Sequence, residues 1–344
     1  MSMYFRVLYC LFLALFCVVS PTGQALYGQS SAAPMSVFTY LTPEENTAWT
    51  LEFNWTDLLE NRRKCRYYPA ILTDQAGRNY PVQVKARGKF RLKTCEIPPL
   101  HIKFVKSNLQ EYGLDTLNEI DISLPCMEDS KGAELLMREY IAYRMYEHIT
   151  PAAVRARLIQ LTILDTRGGR QKMLAMAVED GEELAARLNG RPLEEYGIKP
   201  ERLDMTNAAR MVMYQYMIGN TDWEITMYRN IQLVQPREPG AKVLTIPYDF
   251  DFSGFVSAPY ATPNSLCGLR HVRDRFLMAE GIDPTAFSNA IQDLKNARPA
   301  FAELCNSPLL SKKTADQLIR YLDTFFKVVE QQNSVPEKMM VSKL

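Results

Sequence analysis

The spacing of the apolar residues changes partway along this chain, and that change limits the folds it can adopt. Between about residues 49 and 126, segments such as 80–86 and 100–105 alternate apolar and polar side chains, and 115–124 partly does so. A period of two is typical of half-buried β-strands. Residues 133–148 instead repeat apolar side chains at steps of three and four, the period of an amphipathic helix. The folded part of the chain therefore begins with a β-rich region and continues with a helix.

Beyond that helix the pattern indicates a hairpin and then mostly helical elements. We predict hairpin strands at 155–164 and 171–178, short strands at 231–234 and 243–246, and helices at 182–188, 205–218, 284–295, 300–305 and 314–330. Gly219-Asn220 is expected to end the helix at 205–218. The sequence thus predicts an α+β protein. Its β-rich N-terminal lobe, with one helix, covers residues 49–180, and its mainly helical C-terminal lobe covers residues 181–335.

The beginning of the sequence has the pattern of an export signal. Arg6 is followed by thirteen apolar or weakly polar residues at 7–19, and then by mostly small residues at 20–25. This pattern is typical of a secretory signal peptide, and the apolar run is shorter than the ~20 residues that span a bilayer. We therefore expect a signal peptide at 1–25, a linker at 26–48, and a periplasmic or extracellular mature protein without a transmembrane span. An uncleaved membrane anchor is the alternative.

The composition excludes some classes of protein and names no partner. Lysine and arginine together number 40 and aspartate and glutamate 39, so the formal net charge is +1. That balance argues against a strongly basic surface, and we expect no nucleic-acid partner. With 47% hydrophobic residues the chain can bury a large core, and its three histidines argue against a multi-histidine zinc site. The composition does not define an oligomeric state.

Export also changes how the cysteines are interpreted. Removal of the signal peptide leaves five of them: Cys65, Cys95, Cys126, Cys267 and Cys305. An oxidising compartment allows pairs to form, and an odd number leaves at least one cysteine free or bonded to another molecule. None of the five has the Cys-x-x-Cys spacing of a metal site. We favour a disulfide between Cys95 and Cys126 because both lie beside strand-like segments of the same region.

Two loops of the C-terminal half concentrate side chains suited to phosphoryl transfer. Asp222 and Asn230 lie in a polar loop after the helix at 205–218, and Asp249 and Asp251 follow an apolar strand. In phosphoryl transfer one carboxylate orients or deprotonates the nucleophile, while an amide oxygen and another carboxylate hold the metal that bridges the phosphates. Such oxygen ligands suit Mg²⁺. The same residue types are also common turn formers and loop caps, which is the structural alternative.

Three segments of the sequence resemble the CotH-type spore-coat kinases, an atypical branch of the protein-kinase-like fold. The first is VKARGKFRLKTCEIPPLHIKF, in which Arg-Gly opens a hairpin that ends in a lysine-containing strand. The second is LLMREYIAYRMYEHI, which is similar to that family's helix after the hairpin. The third runs from IGNTDW through RN to VLTIPYDFDFSG, in the family's order and near its spacing. The resemblance extends over about residues 80–256 and is thin between these segments.

The resemblance implies a two-lobed protein-kinase-like fold and a role for each matching residue. It implies that Asp222 is the catalytic base and that Asn230 and Asp249 are metal ligands, with Asp251 as a second candidate on the same strand end. It also implies that Arg87 approaches the phosphates of a bound nucleotide. The expected cofactors are Mg²⁺ and ATP or another nucleotide. The expected acceptor is a protein or another hydroxyl-bearing substrate.

The resemblance further implies an ion pair between a helix carboxylate and a strand lysine. Glu139 is the helix carboxylate and Lys103 the favoured partner, with Lys85 and Lys93 as rivals. We count Lys103 and Glu139 among the expected nucleotide-binding residues. The junction at 178–180, where the two lobes of such a fold meet, is expected to contact the adenine.

Departures from the family's pattern leave other functions open. Lys89-Phe90-Arg91 follow the Arg-Gly where CotH-type sequences often have serines, and Trp223-Glu224 follow the expected base where many have a histidine. The chain has no Walker A motif or GxGxxG loop, and ATP is scarce outside the cytoplasm. The alternative is a catalytically inactive pseudokinase that serves as an envelope or extracellular interaction module. A third possibility is a secreted protein whose aspartates hold Ca²⁺.

Overall fold

The computed structural model describes residues 34–331. The predicted signal peptide at 1–25 and the first residues of the predicted linker lie outside the described residues. So do the last residues of the predicted C-terminal lobe, 332–335.

Within residues 34–331 ten strands form two sheets. They are β1 (Thr47–Phe53), β2 (Tyr68–Thr73), β3 (Asn79–Ala86), β4 (Leu100–Phe104), β5 (Glu119–Ser123), β6 (Ala156–Asp165), β7 (Arg170–Glu179), β8 (Gly190–Pro192), β9 (Ile231–Pro236) and β10 (Leu244–Pro247). The predicted strands at 80–86, 100–105, 155–164, 171–178, 231–234 and 243–246 are confirmed, with ends that differ by one or two residues.

The same described part of the chain contains nine α-helices. They are α1 (Val37–Leu41), α2 (Trp55–Asn61), α3 (Arg91–Thr94), α4 (Lys106–Glu111), α5 (Ser130–Ile149), α6 (Gly181–Arg187), α7 (Met205–Ile218), α8 (Phe287–Cys305) and α9 (Lys312–Gln331). The α+β prediction is confirmed, because the N-terminal region is rich in sheet and the C-terminal region is helical. No helix among residues 34–331 has both the length and the apolar character needed to cross a membrane.

Seven strands close into a barrel in the order β1-β2-β3-β4-β5-β7-β6. Neighbouring strands are antiparallel except β1 and β6, which run parallel and close the barrel. Successive side chains of a strand point to opposite faces, so β3 alternates between exposed and buried positions. The buried side chains, among them Trp49, Phe53 and Ile122, form one hydrophobic core. A closed seven-stranded barrel is not typical of a protein-kinase N-terminal lobe, so this half departs from the fold that the CotH resemblance implies.

The β6–β7 hairpin contributes to both halves of the molecule. Ile159 and Ala175 belong to the barrel core, whereas their neighbours Leu158 and Met176 belong to a second core built mainly by helices. Helix α5 also packs on this second core, through Ile141 among others. The hairpin and α5 therefore join the barrel to the helical half. The lobe boundary placed at residue 180 stays a prediction.

The helical half is built around α7, whose side chains are almost all buried. This helix ends at Ile218 because Gly219 adopts a left-handed conformation with φ of +65°, which confirms the predicted stop. The prediction of separate helices at 284–295 and 300–305 is wrong, since α8 continues through Pro299. Leu294 and Phe301, on either side of the proline, are both buried in the same core, and this packing offsets the backbone hydrogen bond that proline loses.

The predicted linker at 26–48 is wrong over part of its length. Val37, Phe38 and Leu41 are buried on one side of α1, and Ser36 caps that helix by accepting a hydrogen bond from the Thr39 N–H at 3.2 Å. A short amphipathic turn within a stretch rich in small residues gave too weak a periodic signal to predict. The predicted disulfide between Cys95 and Cys126 is confirmed.

Candidate functional site

A cavity of about 610 Å³ lies where the barrel meets the helical half. Its wall on the barrel side comes from the segment after β3, from β5 and from the end of β7. Its opposite wall comes from α5 and from the two acidic loops. Six of the seven predicted site residues line it: Arg87, Glu139, Asp222, Asn230, Asp249 and Asp251.

The loop after α7 presents Asp222 to the cavity. Asn220 fixes the loop by accepting a hydrogen bond from the Asp222 N–H at 3.0 Å. The indole Nε1 of Trp223, a buried side chain, donates to the carbonyl oxygen of Asn220 at 3.1 Å. Trp223, which stands where many CotH-type sequences have histidine, therefore anchors the loop from inside the protein.

Asn230 and Arg229 surround the Asp222 carboxylate. The Asn230 side chain donates to the carbonyl oxygen of Asp222 at 2.6 Å and to its Oδ2 at 3.0 Å. Arg229 Nε lies 3.7 Å from Asp222 Oδ1. Burial raises the pKa of Asp222 above its ordinary value, Arg229 and the Asn230 hydrogen bond oppose this, and the nearby charge of Asp249 adds to the rise. A half-buried carboxylate with a raised pKa is suited to accept a proton.

The loop after β10 carries the other two acids. The Asp249 backbone, with φ of +62°, donates its N–H to Tyr143 Oη at 2.8 Å. Phe250 is buried, and its ring centroid lies 4.8 Å from that of Tyr143. Asp251 is almost fully buried, and its Oδ2 accepts a hydrogen bond from Tyr260 at 2.9 Å. Asp249 is therefore the more accessible of the two carboxylates.

Two backbone hydrogen bonds tie these loops to each other. The Gly254 N–H donates to the Gly219 carbonyl at 3.0 Å, and the Phe255 N–H donates to the Ile218 carbonyl at 2.9 Å. Gly254 has no room for a side chain, because a Cβ there would lie 2.5 Å from Tyr321 Oη. The end of α7 and the loop after β10 are thus held in a fixed relative position, which explains why acids distant in sequence meet at one cavity.

The predicted ion pair between Glu139 and Lys103 is wrong. Lys103 Nζ lies 2.6 Å from Glu119 Oε1 on the adjacent strand β5. Glu139 Oε2 instead lies 3.5 Å from Arg91 Nη1. The reason is the alternation of β4: its buried positions are apolar, as at Ile102, and Lys103 falls on the opposite, partly exposed face.

Arg91 also lines the cavity, and the sequence patterns assign it no role. It lies on the four-residue helix α3, is largely buried, and donates from Nη2 to the Leu124 carbonyl at 2.7 Å. Burial raises the pKa of its partner Glu139 to about 7, although the Arg91 charge opposes that rise. A signal exists in the sequence, since Arg91 lies four residues after Arg87 in the first CotH-like segment, but the resemblance implies a lysine as the partner of Glu139.

Arg87 and the end of β7 complete the barrel side of the cavity. Arg87 Nη1 lies 2.9 Å from Asp121 Oδ2, so its charge already has a partner. His101 Nδ1 lies 2.9 Å from the other oxygen of the same carboxylate. The junction at 178–180, expected to contact an adenine, lines the cavity, and Asp180 caps α6 by accepting a hydrogen bond from the Glu182 N–H.

Two side chains of the cavity offer oxygen atoms that suit a cation bound jointly by the protein and a phosphate group. Among residues 34–331 no group of three or more His, Cys, Asp or Glu side chains could hold a metal ion. Mg²⁺ in phosphoryl-transfer sites is usually bound by one or two carboxylates, substrate phosphates and water. Asp249 offers a carboxylate, and Asn230 uses its amide nitrogen for Asp222, which leaves its amide oxygen for another partner.

No family model matches the chain, and no curated protein matches it. Among solved structures, the chain is similar to the crystal structure of the Helicobacter pylori proinflammatory kinase CtkA. The two are 11% identical, the alignment covers 65% of this chain and 86% of that one, and the TM-score is 0.36. A likeness this weak carries no argument, so the CotH resemblance stays a prediction.

Proposed function

We propose that this protein is an exported kinase-like phosphotransferase. It transfers a phosphoryl group from ATP or another nucleotide to a hydroxyl group of a protein or other acceptor, with Mg²⁺ as cofactor. The barrel and the helical half are the two lobes, and the cavity between them is the active site. Export is supported by the pattern of residues 1–25 and by the disulfide between Cys95 and Cys126, since disulfides persist in oxidising compartments.

One observation carries the proposal: Asp222, Asn230 and Asp249 line the same cavity although they come from two separate loops. A catalytic base, an amide ligand and a carboxylate ligand are the groups that phosphoryl transfer requires. Taken singly, each is an ordinary loop residue. Their convergence, with Arg87 and Arg91 on the facing wall, is what favours this chemistry.

In the proposed reaction Asp222 accepts the proton of the attacking hydroxyl group. A bond forms between the hydroxyl oxygen and the γ-phosphorus, and the bond to the leaving oxygen of the nucleoside diphosphate breaks. The Asn230 amide holds the carboxylate by its 3.0 Å hydrogen bond to Oδ2. Mg²⁺, held by Asn230 and Asp249 with phosphate oxygens, would neutralise negative charge on the phosphates. Arg87 and Arg91 place positive charge on the other side of the cavity.

The first prediction tests the base and the metal ligand. We expect Asp222→Asn and Asp249→Asn each to lower phosphate transfer from ATP by about 100-fold or more, the range observed when a general base or a charge-stabilising group is removed. The measurement is autophosphorylation and ATP consumption by the purified protein, with melting temperatures to confirm folding.

Glu224→Gln is the matched control for this experiment. Glu224 Oε2 lies 3.6 Å from Arg229 Nη2, much as Asp222 Oδ1 lies 3.7 Å from Nε of the same arginine. The Glu224→Gln substitution removes one negative charge beside Arg229 and leaves the proposed base, Asp222, unchanged. Wild-type rates in both folded Asp variants would falsify the assignment.

The inactive pseudokinase remains the second candidate, and one contact favours it. Arg87, the residue expected to approach the phosphates, is already paired with Asp121 at 2.9 Å. A nucleotide has to compete with that carboxylate for the guanidinium. Nucleotide binding therefore separates the two functions.

A further inference from the structure

Three arginines line a second pocket, of about 420 Å³, on the helical half of the molecule. Arg273 and Arg275 lie in the segment after the second acidic loop, and Arg320 lies on α9. The guanidinium carbons of Arg275 and Arg273 lie 4.0 and 4.7 Å from the ring centroid of Tyr321. The rest of the lining comes from one face of α9: Gln317, Tyr321 and Thr324. Positions three and four residues apart on a helix are neighbours, so α9 presents these side chains together.

Arg275 is fixed in place by neutral acceptors. Its Nε donates to the Met217 carbonyl at 3.0 Å, its Nη1 to Thr324 Oγ1 at 2.7 Å and its Nη2 to the Tyr321 carbonyl at 2.7 Å. Burial lowers the pKa of Arg275, and the nearby charge of Arg273 lowers it further. A guanidinium has five N–H groups, so two of its donors stay available to a ligand.

The arginines of this pocket have no ion-pair partner in the described part of the chain. Within residues 34–331 no aspartate or glutamate forms an ion pair with any of the three arginines. The Asp274 carboxylate accepts two backbone N–H groups instead, at 2.8 and 3.0 Å. Asp323 pairs with Arg298, and Asp316 pairs with Lys312. Holding like charges together without a counter-charge costs stability, which is a common feature of binding sites.

We propose that this arginine pocket binds the phosphate group of a phosphomonoester. A phosphomonoester carries a charge of about −1.5 to −2 at neutral pH and three acceptor oxygens, and the guanidinium fork matches that geometry. The source of the phosphate is either a small phosphate compound or a phosphorylated serine or threonine side chain. Both sources present the same group to the three arginines.

The pocket lies directly behind the loops of the candidate active site. Tyr321 Oη donates to the Arg273 carbonyl at 3.2 Å and occupies the space that a side chain at Gly254 would need. Gly254 in turn holds the loop of Asp249 and Asp251 against the end of α7. A phosphate bound in this pocket would therefore lie against Tyr321, the side chain that packs behind Gly254 and both acidic loops. Binding at this pocket does not require phosphoryl transfer at the first cavity.

The test compares binding of two probes to the full-length mature protein by titration calorimetry at constant ionic strength. The probes are inorganic phosphate and N-acetyl-O-phosphoserine amide. We expect wild type to bind at least one of them with a Kd of about 1 mM or tighter, and the double variant R273Q/R320Q to bind at least tenfold more weakly. Both arginines are exposed, so the variant is expected to fold, and its melting temperature checks this. The double variant R63Q/R170Q, which removes two exposed arginines, one after α2 and one at the start of β7, is the charge-matched control and should bind like wild type.

The outcomes distinguish the two possible sources of the phosphate group. They also distinguish binding in the arginine pocket from binding in the first cavity. Tighter binding of the phosphoserine probe identifies a phosphorylated side chain as the ligand, and equal binding identifies a small phosphate compound. Phosphate can also enter the first cavity, so only loss of binding in R273Q/R320Q assigns the pocket. Absence of binding by wild type at about 10 mM probe, or equal binding by wild type and the double variant, overturns the proposal.

Discussion

At the scale of single residues, each of the three aspartates on the acidic loops is held by a hydrogen bond. Asn230 holds Asp222, and the Tyr143 hydroxyl accepts the backbone N–H of Asp249. Tyr260 donates to Asp251. These contacts hold the carboxylates of Asp222 and Asp251 and the main chain of Asp249 before a ligand arrives, so little reorganisation is needed when one binds.

Glu183 gives a pH-dependence prediction away from that cavity. It is buried on α6, where its Oε1 accepts hydrogen bonds from Arg155 at 2.7 Å and from Ser36. Burial raises the pKa of Glu183 from 4.5 to about 7. The folded protein therefore binds this proton more tightly than the unfolded chain does. Protonation of Glu183 therefore stabilises the folded protein. This stabilisation is fully present below about pH 4.5 and is lost as the pH rises through about 7.

The wild type should lose stability as the pH rises from 5 to 8, whereas glutamine at position 183 does not titrate. We therefore expect the free energy of unfolding of Glu183→Gln, relative to that of wild type, to be higher at pH 8 than at pH 5 by about 1–3 kcal/mol. The measurement is urea-induced unfolding of both proteins at the two pH values. Glu182→Gln, a change at the exposed neighbouring position, is the control and should show no such pH-dependent difference. A Glu183→Gln effect of equal size at both pH values would contradict the raised pKa.

At the scale of elements, the short segment between β3 and β4 decides the barrel side of the cavity. Helix α3 carries Arg91 and is followed directly by Cys95, whose disulfide to Cys126 fixes the helix beside the segment that follows β5. The Glu96 N–H also donates to the Cys126 carbonyl at 2.9 Å. A four-residue helix has almost no stability of its own, so tertiary links such as these maintain it.

We expect the double variant C95S/C126S to be less stable than wild type by about 2–4 kcal/mol. The disulfide joins residues 31 positions apart, and a cross-link of that length reduces the entropy of the unfolded chain by about this amount. Chemical unfolding under oxidising conditions measures the difference. Cys65→Ser, at an exposed free cysteine, is the control, with an expected change within about 0.5 kcal/mol. Equal stability of all three proteins would show that the cross-link does not support α3.

At the scale of the whole molecule, the cavity exists because two cores share the β6–β7 hairpin. One face of this hairpin packs in the barrel and the other packs on the helices. The barrel contributes three basic side chains to the cavity wall, Arg87, Lys89 and Arg91, beside the acids Asp121 and Glu179, and the helical half contributes the acidic loops. A ligand bound there contacts both halves, and its binding should therefore stabilise the fold as a whole.

We expect ATP with Mg²⁺ to raise the melting temperature of the mature protein by a few degrees. A ligand that binds only the folded state at ten times its Kd stabilises it by about 1.4 kcal/mol, which is enough for a measurable shift. Asp249→Asn should reduce the shift if the metal and the nucleotide bind together. The measurement is a thermal unfolding series over nucleotide concentration at fixed free Mg²⁺.

The alternatives give different results in the same series. No shift with ATP and Mg²⁺ favours an interaction module that does not bind nucleotide. A shift with Ca²⁺ alone favours the Ca²⁺-binding alternative. A nucleotide shift combined with wild-type transfer rates in Asp222→Asn would indicate that the cavity binds nucleotide and that Asp222 is not the base.

The sequence predicted the features that depend on near neighbours in the chain. Alternation identified β3 and β4, a three-and-four spacing identified α5, and Gly219 marked the end of α7 because few other residues adopt its left-handed conformation at low cost. The acidic loops were found for the same reason, since each follows directly on an apolar element. Six of the residues proposed from sequence accordingly line one cavity.

Tertiary structure alone decided which of these elements meet. Closure of the barrel through the parallel pair β1 and β6 joins strands that lie more than one hundred residues apart, and no local pattern records that contact. The partner of Glu139 is Arg91 and not Lys103. The strand register places Lys103 beside Glu119, and the disulfide holds α3, which carries Arg91, near α5. The sequence by itself determined the elements and the chemistry of their loops. Packing determined the pairs, because a contact between distant residues depends on the geometry of every element between them.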